Sequence, residues 1–285
     1  MIKLIALGIL SGAFFSSTFI LNEVMSLAGG HWVWSASLRY AFMVVLLTLI
    51  IVGKGGFKHL RDVLTLFRVH WKFWTLAGSI GFGGFYALIC FSADFSPGWV
   101  IAATWQSTVV ASLFVFMLFG RSFPRRIWFF SSFIFVGVIL VNVSHVEHFD
   151  LSQFIIGGAP VLVAAFCYPF GNQLVWEAQN GDGEKIPKIQ SQLLGNVFNK
   201  VFLMTLGSIP LWIILVLSMS PPSPSIGQIM NSALVALFSG ICATSIFLYA
   251  RNLAKTSNEL AGVDATQASE VVFALIGGSI LPFLA

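Results

Sequence analysis

Apolar residues in this chain are gathered into long runs rather than spaced along amphipathic faces. Nine runs can be marked, at about 4–22, 32–52, 72–93, 98–119, 126–143, 154–175, 197–218, 228–250 and 263–284. Each is about 18 to 25 residues, enough for a helix to cross the hydrocarbon layer. They lack the two-residue alternation that a membrane barrel strand requires. Lys3 precedes the first run. That run is long for a signal core and no small-x-small cleavage site follows it, so it reads as a retained helix. The predicted fold is all-α: a polytopic membrane protein with nine spans.

Composition removes the other classes. The chain of 285 residues is 57% hydrophobic and only 9% charged, against about a quarter charged in soluble domains. A soluble enzyme, a nucleic-acid binder and a disordered protein are therefore excluded, and the lipid bilayer is the expected surrounding. Cys90, Cys167 and Cys242 all fall in apolar runs. Their odd number and lack of spacing predict neither disulfides nor a metal site.

The net charge of +4 is a topology signal. Lys3 precedes span 1; Lys54, Lys58, Arg61, Arg68 and Lys72 follow span 2; Arg121, Arg125 and Arg126 follow span 4. Lys185, Lys188 and Lys200 follow span 6, and Arg251 and Lys255 follow span 8. The segments after spans 1, 3, 5 and 7 hold no Lys or Arg, but carry Glu23, Asp94, Glu147 and Asp150. Basic residues stay on the cytoplasmic side, which puts the amino terminus inside and predicts a bacterial cytoplasmic membrane protein. Trp32, Trp34 and Trp99 then fall near the outer interface, and Trp71, Trp74, Trp128 and Trp176 near the inner one, as an indole belt would. Phe57, Leu60, Leu64 and Phe67 recur at helical spacing among cations, so residues 57–68 form either a short helix on the cytoplasmic leaflet or a plain basic loop.

Residues 101–113 and 263–275 repeat at an offset of 162, with Ala103/Ala265, Thr104/Thr266, Ser107/Ser269, Val109/Val271, Val110/Val272 and Leu113/Leu275 identical. The same offset pairs Gly78 with Gly240 and Phe85 with Phe247, and Leu10, Ala13 and Phe14 match Leu162, Ala165 and Phe166. The unit is five helices. An odd unit enters the membrane from the opposite side on its second pass, giving an inverted repeat: 1–143, then 144–285 lacking its last helix. The symmetry predicts a tenth helix at about 288–305.

Two inverted five-helix units with short loops resemble the drug/metabolite transporter superfamily. Ser37-Leu38-Arg39-Tyr40 is similar to a Leu-Arg-aromatic signature common there. Residues 165–173 (AFCYPFGNQ) and 265–271 (ATQASEV) resemble the branch of multidrug-resistance efflux transporters. The resemblance implies a secondary carrier that exports a small organic solute, drug-like, cationic or metabolite, by alternating access at the repeat interface. One departure matters. Small multidrug-resistance proteins of that superfamily carry an acid in the middle of helix 1, whereas residues 12–16 here read GAFFS. Proton coupling would then fall to Glu270, or coupling is absent.

Ionisable residues inside spans are costly and mark candidate sites. Arg39 and Glu270 are the two exceptions to the charge map. Arg39 either binds solute or clamps backbone carbonyls or Glu270; Glu270 either takes a proton or cation or is a paired structural acid. Gln267 shares a helical face with Thr266 and Glu270, and Thr104 and Thr108 form the matching polar stripe of span 4. Such stripes serve ligands or close packing. Trp105 lies too deep for the belt and could stack on a ligand or fill the core. Tyr168 precedes Pro169, whose missing N–H frees a carbonyl, and Asn172 follows within a turn. Gly8, Gly12 and Ser16 read as a packing seam.

No phosphate-binding loop or paired-histidine motif is present, and no histidine lies deep in a span to serve a serine nucleophile. No enzyme activity, catalytic residue, cofactor or nucleic-acid partner is expected. The partners expected are a small-molecule substrate and, through Glu270, protons. A non-transporting scaffold or inactive truncated paralogue is the alternative. The sequence sets no oligomeric state.

Overall fold

The computed structural model describes residues 1–120, 128–129, 132–133, 135–140, 154–181, 186–253, 259, 262–263 and 265–280. The expected cations Arg121, Arg125, Arg126, Lys185 and Lys255 and the acids Glu147 and Asp150 lie outside them. Regular structure among the described residues is all helical. Seven helices there are long and apolar enough to cross a membrane. They are α1 (Ile2–Leu27), α2 (Trp32–Val69), α3 (Trp71–Ser92), α4 (Gly98–Leu118), α6 (Ile155–Asn180), α7 (Val197–Met219) and α8, which is apolar over Ile226–Phe247 and runs on to Leu253. Between α4 and α6, helical residues 135–140 belong to α5; α9 comprises the helical residues 262–263 and 265, a 3₁₀ turn at Thr266–Ala268 and the segment Ser269–Ile280. The expected spans 126–143 and 263–284 lie partly outside the described residues. The molecule is a polytopic integral membrane protein.

The ends of the helices follow from their caps and turns. Gly29 adopts φ +75°, the left-handed value that ends α1, and the His31 ring accepts from the Val33 amide at 3.2 Å to start α2. Trp34 Nε1 donates to the carbonyl of Pro222 at 2.7 Å, and Gln228 Nε2 donates to that of His31 at 2.9 Å. The start of α2 and the α7–α8 connection therefore share one end of the bundle. At the other end His59 meets Asn199 at 3.2 Å and Lys54 Nζ sits 4.4 Å from the Phe198 ring centroid.

Beyond Gly56 the chain remains helical, so residues 57–68 are a helix and not a loop. Gly56 has φ 71° and ψ 177°, which breaks α2 and redirects it. The helix covers Val63 fully and Leu60 and Phe67 partly, while Phe57, Leu64, Arg61 and Arg68 are exposed. Trp71 and Trp176 are exposed as a belt requires, but Trp74 is fully enclosed. Its place one turn further along α3 from Trp71 brings it against α7 instead of lipid.

Packing of the bundle relies on close backbone approach. The α2 helix packs on α7 and α8, α3 on α6 and α7, α4 on α6, and α1 on α8, α9 and α4. Lipid supplies no hydrophobic drive between helices, so small residues at crossings and dispersion must do so. Gly81 of α3 meets Gly171 of α6 backbone to backbone, and Gly207 of α7 lies against the carbonyl of Trp74. A side chain at residue 207 has no space. We expect Gly207→Val to cost about 1–3 kcal/mol through overpacking, seen as a lower unfolding midpoint in detergent. Gly227→Ala, whose new methyl meets only Ser225 Oγ at 3.8 Å, should leave the midpoint unchanged; equal midpoints for both variants would contradict the packing assignment.

Candidate functional site

Helices α4 and α9 are both interrupted, and at matching places. In α4 the first segment ends at Trp105 and the second begins at Thr108. Between them the amides of Gln106, Ser107, Val109 and Val110 bond three residues back, at 3.0–3.1 Å, which tightens and turns the helix. In α9 the 3₁₀ turn covers Thr266–Ala268. An offset of 162 places these residues opposite 104–106. Helix α1 packs on the 3₁₀ turn of α9 and on the first segment of α4, and α4 and α9 touch each other.

The glycine seam of α1 faces α9. Gly8 contacts the Thr266 side chain and Gly12 that of Ser269, and a Cβ on Gly12 would lie 3.5 Å from the Glu270 amide. Glu270 is 3% exposed. Among the described residues it has no hydrogen-bond or ion-pair partner. Thr266 Oγ1 donates to the Val263 carbonyl at 2.6 Å, and Gln267 is half-buried on the turn.

Arg39 is 6% exposed. Its guanidinium carbon lies 3.9 Å from the Tyr86 ring centroid, within cation–π range. Nη2 donates to Ser239 Oγ at 3.2 Å, while Nε and Nη1 are buried with no partner. The expected alternative, a clamp on carbonyls or on Glu270, is not among these contacts. Tyr86 and Asn22 exchange hydrogen bonds at 3.1 and 3.3 Å. Sequence reasoning missed Tyr86, Asn22 and Ser239. A polar signal existed in Asn22, but nothing tied it to a tyrosine 64 positions away.

Rings continue the site. Phe85 is 4.7 Å from Trp105 and 5.1 Å from Tyr168, and Trp105 meets Tyr168 edge-on at 5.7 Å. The structure thus brings Trp105 and Tyr168 together across α4 and α6. Phe85 joins them from α3.

The threonines are committed to backbone. Thr104 Oγ1 donates to the Val100 carbonyl at 2.8 Å. Pro169 has no N–H, so the Ala165 carbonyl four residues earlier loses its helical donor. Thr108 Oγ1 supplies one across the helix boundary at 3.2 Å. Asn172 is exposed and donates to the Tyr168 carbonyl at 3.0 Å, apart from the cluster. Helices α3 and α8 hold π-helical stretches at Ser79–Gly84 and Ala236–Ala243. Tyr40 Oη donates to the Phe82 carbonyl at 3.0 Å, and Ser11 Oγ to that of Ala243 at 3.1 Å. Such bulges recur at functional sites.

Among the described residues no group of His, Cys, Asp and Glu is arranged to hold a metal ion. A chain with seven membrane-length helices, an interrupted α4 in contact with α9, and a buried acid just after the 3₁₀ turn of α9 has the build of a membrane carrier. A family model described as "EmrE: Putative multidrug resistance efflux transporter" matches residues 2–283, and the chain belongs to that family. It is similar to "Uncharacterized protein YjlA" of Bacillus subtilis, 37% identical over 98% of this chain and 86% of that protein. It also resembles a protein of Shouchella clausii, "Uncharacterized 42.1 kDa protein in intracellular alkaline protease 3'region", 34% identical over 94% of this chain and 70% of that one. No solved structure matches the chain at a comparable level.

The Thr108–Ala165 bond gives a test of how the two halves are joined. Thr108→Val keeps the shape and leaves a buried carbonyl unpaired, which costs about 1–3 kcal/mol. Thermal unfolding of the purified protein should show that loss, with Thr108→Ser near wild type. A Val variant as stable as wild type would show that the hydroxyl does not serve the carbonyl.

Proposed function

We propose that the chain is a secondary carrier that exports a small organic solute by alternating access, with its site where α1, α3, α4, α6 and α9 meet. The observation that carries this reading is the pair of helix interruptions at residues related by the internal repeat. Interrupted helices in corresponding positions of two halves are the best structural pointer to a transporter's binding site.

The packing supports the inverted five-helix units, 1–143 and 144–285. Exchanging each helix for the one five places along turns α1 on α9 into α6 on α4, α1 on α8 into α6 on α3, and α2 on α8 into α7 on α3. It leaves α2 on α7 unchanged. Each of these contacts is present. Gly78 and Gly240 fall at or beside the two π-helical stretches. Membership in an efflux family and the absence of catalytic spacing favour transport over enzyme chemistry. The charge alternation and the bacterial relatives favour a cytoplasmic-membrane protein with its amino terminus inside.

In this reading Glu270 is the acid that exchanges a proton or meets a cationic group, since it is buried, without a partner among the described residues, and directly beyond the 3₁₀ turn of α9. Gln267, Thr104, Trp105 and Tyr168 line or shape the path. Thr108 acts through backbone support, and Arg39 of α2 adjoins the site through Tyr86 of α3. The test is efflux from cells, and from proteoliposomes carrying an imposed pH gradient. Glu270→Gln should abolish gradient-driven transport and leave folding and membrane insertion intact. Undiminished, gradient-dependent transport by the Gln variant would remove Glu270 from the mechanism.

A further inference from the structure

Arg39 is a fixed charge with no acid to balance it among the described residues. A guanidinium cannot shed its proton in a protein, and isolating it in a medium of low dielectric is costly. Its described partners are neutral: one hydroxyl, Ser239, at 3.2 Å and the Tyr86 ring face at 3.9 Å. Two of its three nitrogens are buried without acceptors. No carboxylate pairs with it among the described residues. Many serine and threonine hydroxyls of this bundle are placed on carbonyls, whereas those of Thr18, Ser37, Ser92, Ser107 and Ser269 are, like the two arginine nitrogens, buried without a partner; of these residues the arginine alone carries a charge. The arrangement is that of a cation whose acceptor arrives from outside the chain.

The surroundings define the rest of that acceptor. Tyr86 continues into the Phe85 ring at a centroid distance of 5.9 Å, and Phe85 into Trp105 and Tyr168. Rings from three helices thus continue from Tyr86, the ring that meets the guanidinium. A single guanidinium matches a monoanion, and its fork matches the two oxygens of a carboxylate. We propose that the transported solute is a small aromatic carboxylate, its acid group held by Arg39 and its ring by Phe85, Trp105 and Tyr168. The assignment rests on the carrier reading above and adds the substrate class to it.

Titration of the purified full-length protein with phenylacetate, its neutral isostere phenylacetamide and the cation phenethylamine tests this, read by calorimetry. Wild type should bind phenylacetate at least tenfold more tightly than the amide or the amine. Arg39→Gln should reduce phenylacetate affinity to that of the amide, and Arg39→Lys should retain part of the preference. Equal binding of acid and amide, preference for the amine, an unchanged acid affinity in Arg39→Gln, or no binding of phenylacetate would overturn the assignment. If Arg39→Gln fails to fold, the ratio of acid to amide on wild type decides. Glu270-dependent export of a cation, undisturbed in Arg39→Gln, would sink the carboxylate assignment while leaving the carrier reading standing. Absence of gradient-driven transport of any solute would remove the carrier reading itself.

Discussion

Inside a bilayer each backbone N–H and C=O has to find its partner within the protein, because hydrocarbon offers none. That rule decides where this bundle can depart from regular helix. A regular α-helix satisfies it alone. A π-helical stretch, a 3₁₀ turn or a proline does not, and each needs a donor from a neighbouring element. Here the donors are side-chain hydroxyls. Thr108 serves the carbonyl orphaned by Pro169, Tyr40 reaches Phe82 in the π-helical stretch of α3, and Ser11 reaches Ala243 in that of α8. These three departures therefore lie where a hydroxyl of a neighbouring helix can reach them. Unwound segments and polar side chains gather in the same place for one reason.

Charge follows a related rule with a different outcome. Cations at helix ends lay their stems and heads against aromatic rings, as Lys54 does on Phe198 and Lys72, 5.8 Å away, on Trp71. There water is within reach and a ring is sufficient company. Arg39 makes the same kind of contact with Tyr86 but is enclosed. The ring that suffices at the surface leaves a charge unbalanced in the interior. Burial, more than residue type, separates a topology marker from a candidate site.

Much of this was legible in the sequence. Apolar run length marks membrane spans almost directly, since bilayer thickness sets the length. The repeat placed residues 104–108 and 266–270 in register before any coordinates, and the α1 glycines read correctly as a seam. What could not be read depends on partners remote in the chain. The π-helical stretches have no local signature, because their stability comes from donors such as Tyr40 and Ser11 on other helices. Pro169 identifies Ala165 as the orphaned carbonyl, but only packing shows that Thr108 serves it. Trp74 and Trp71 are alike to a hydropathy profile; contact with α7 encloses the first, while the second stays exposed at the very start of α3. Asn172 sits within a turn of Tyr168, yet helix rotation points it away from the ring cluster.

Glu23 adds a mechanical consequence. Its carboxylate accepts from the Gly98 amide at 3.0 Å, the first residue of α4, and there it also meets the positive end of the helix dipole. A charge-assisted bond of this kind is a strong fastener. It pins the end of α1 to the beginning of α4, while the rest of α1 lies along α9. Any rearrangement that leaves this fastener closed must swing α1 and the first segment of α4 as one lever. The bend is then taken up further along α4, at Gln106 and Ser107, where the helix already lacks its regular bonds.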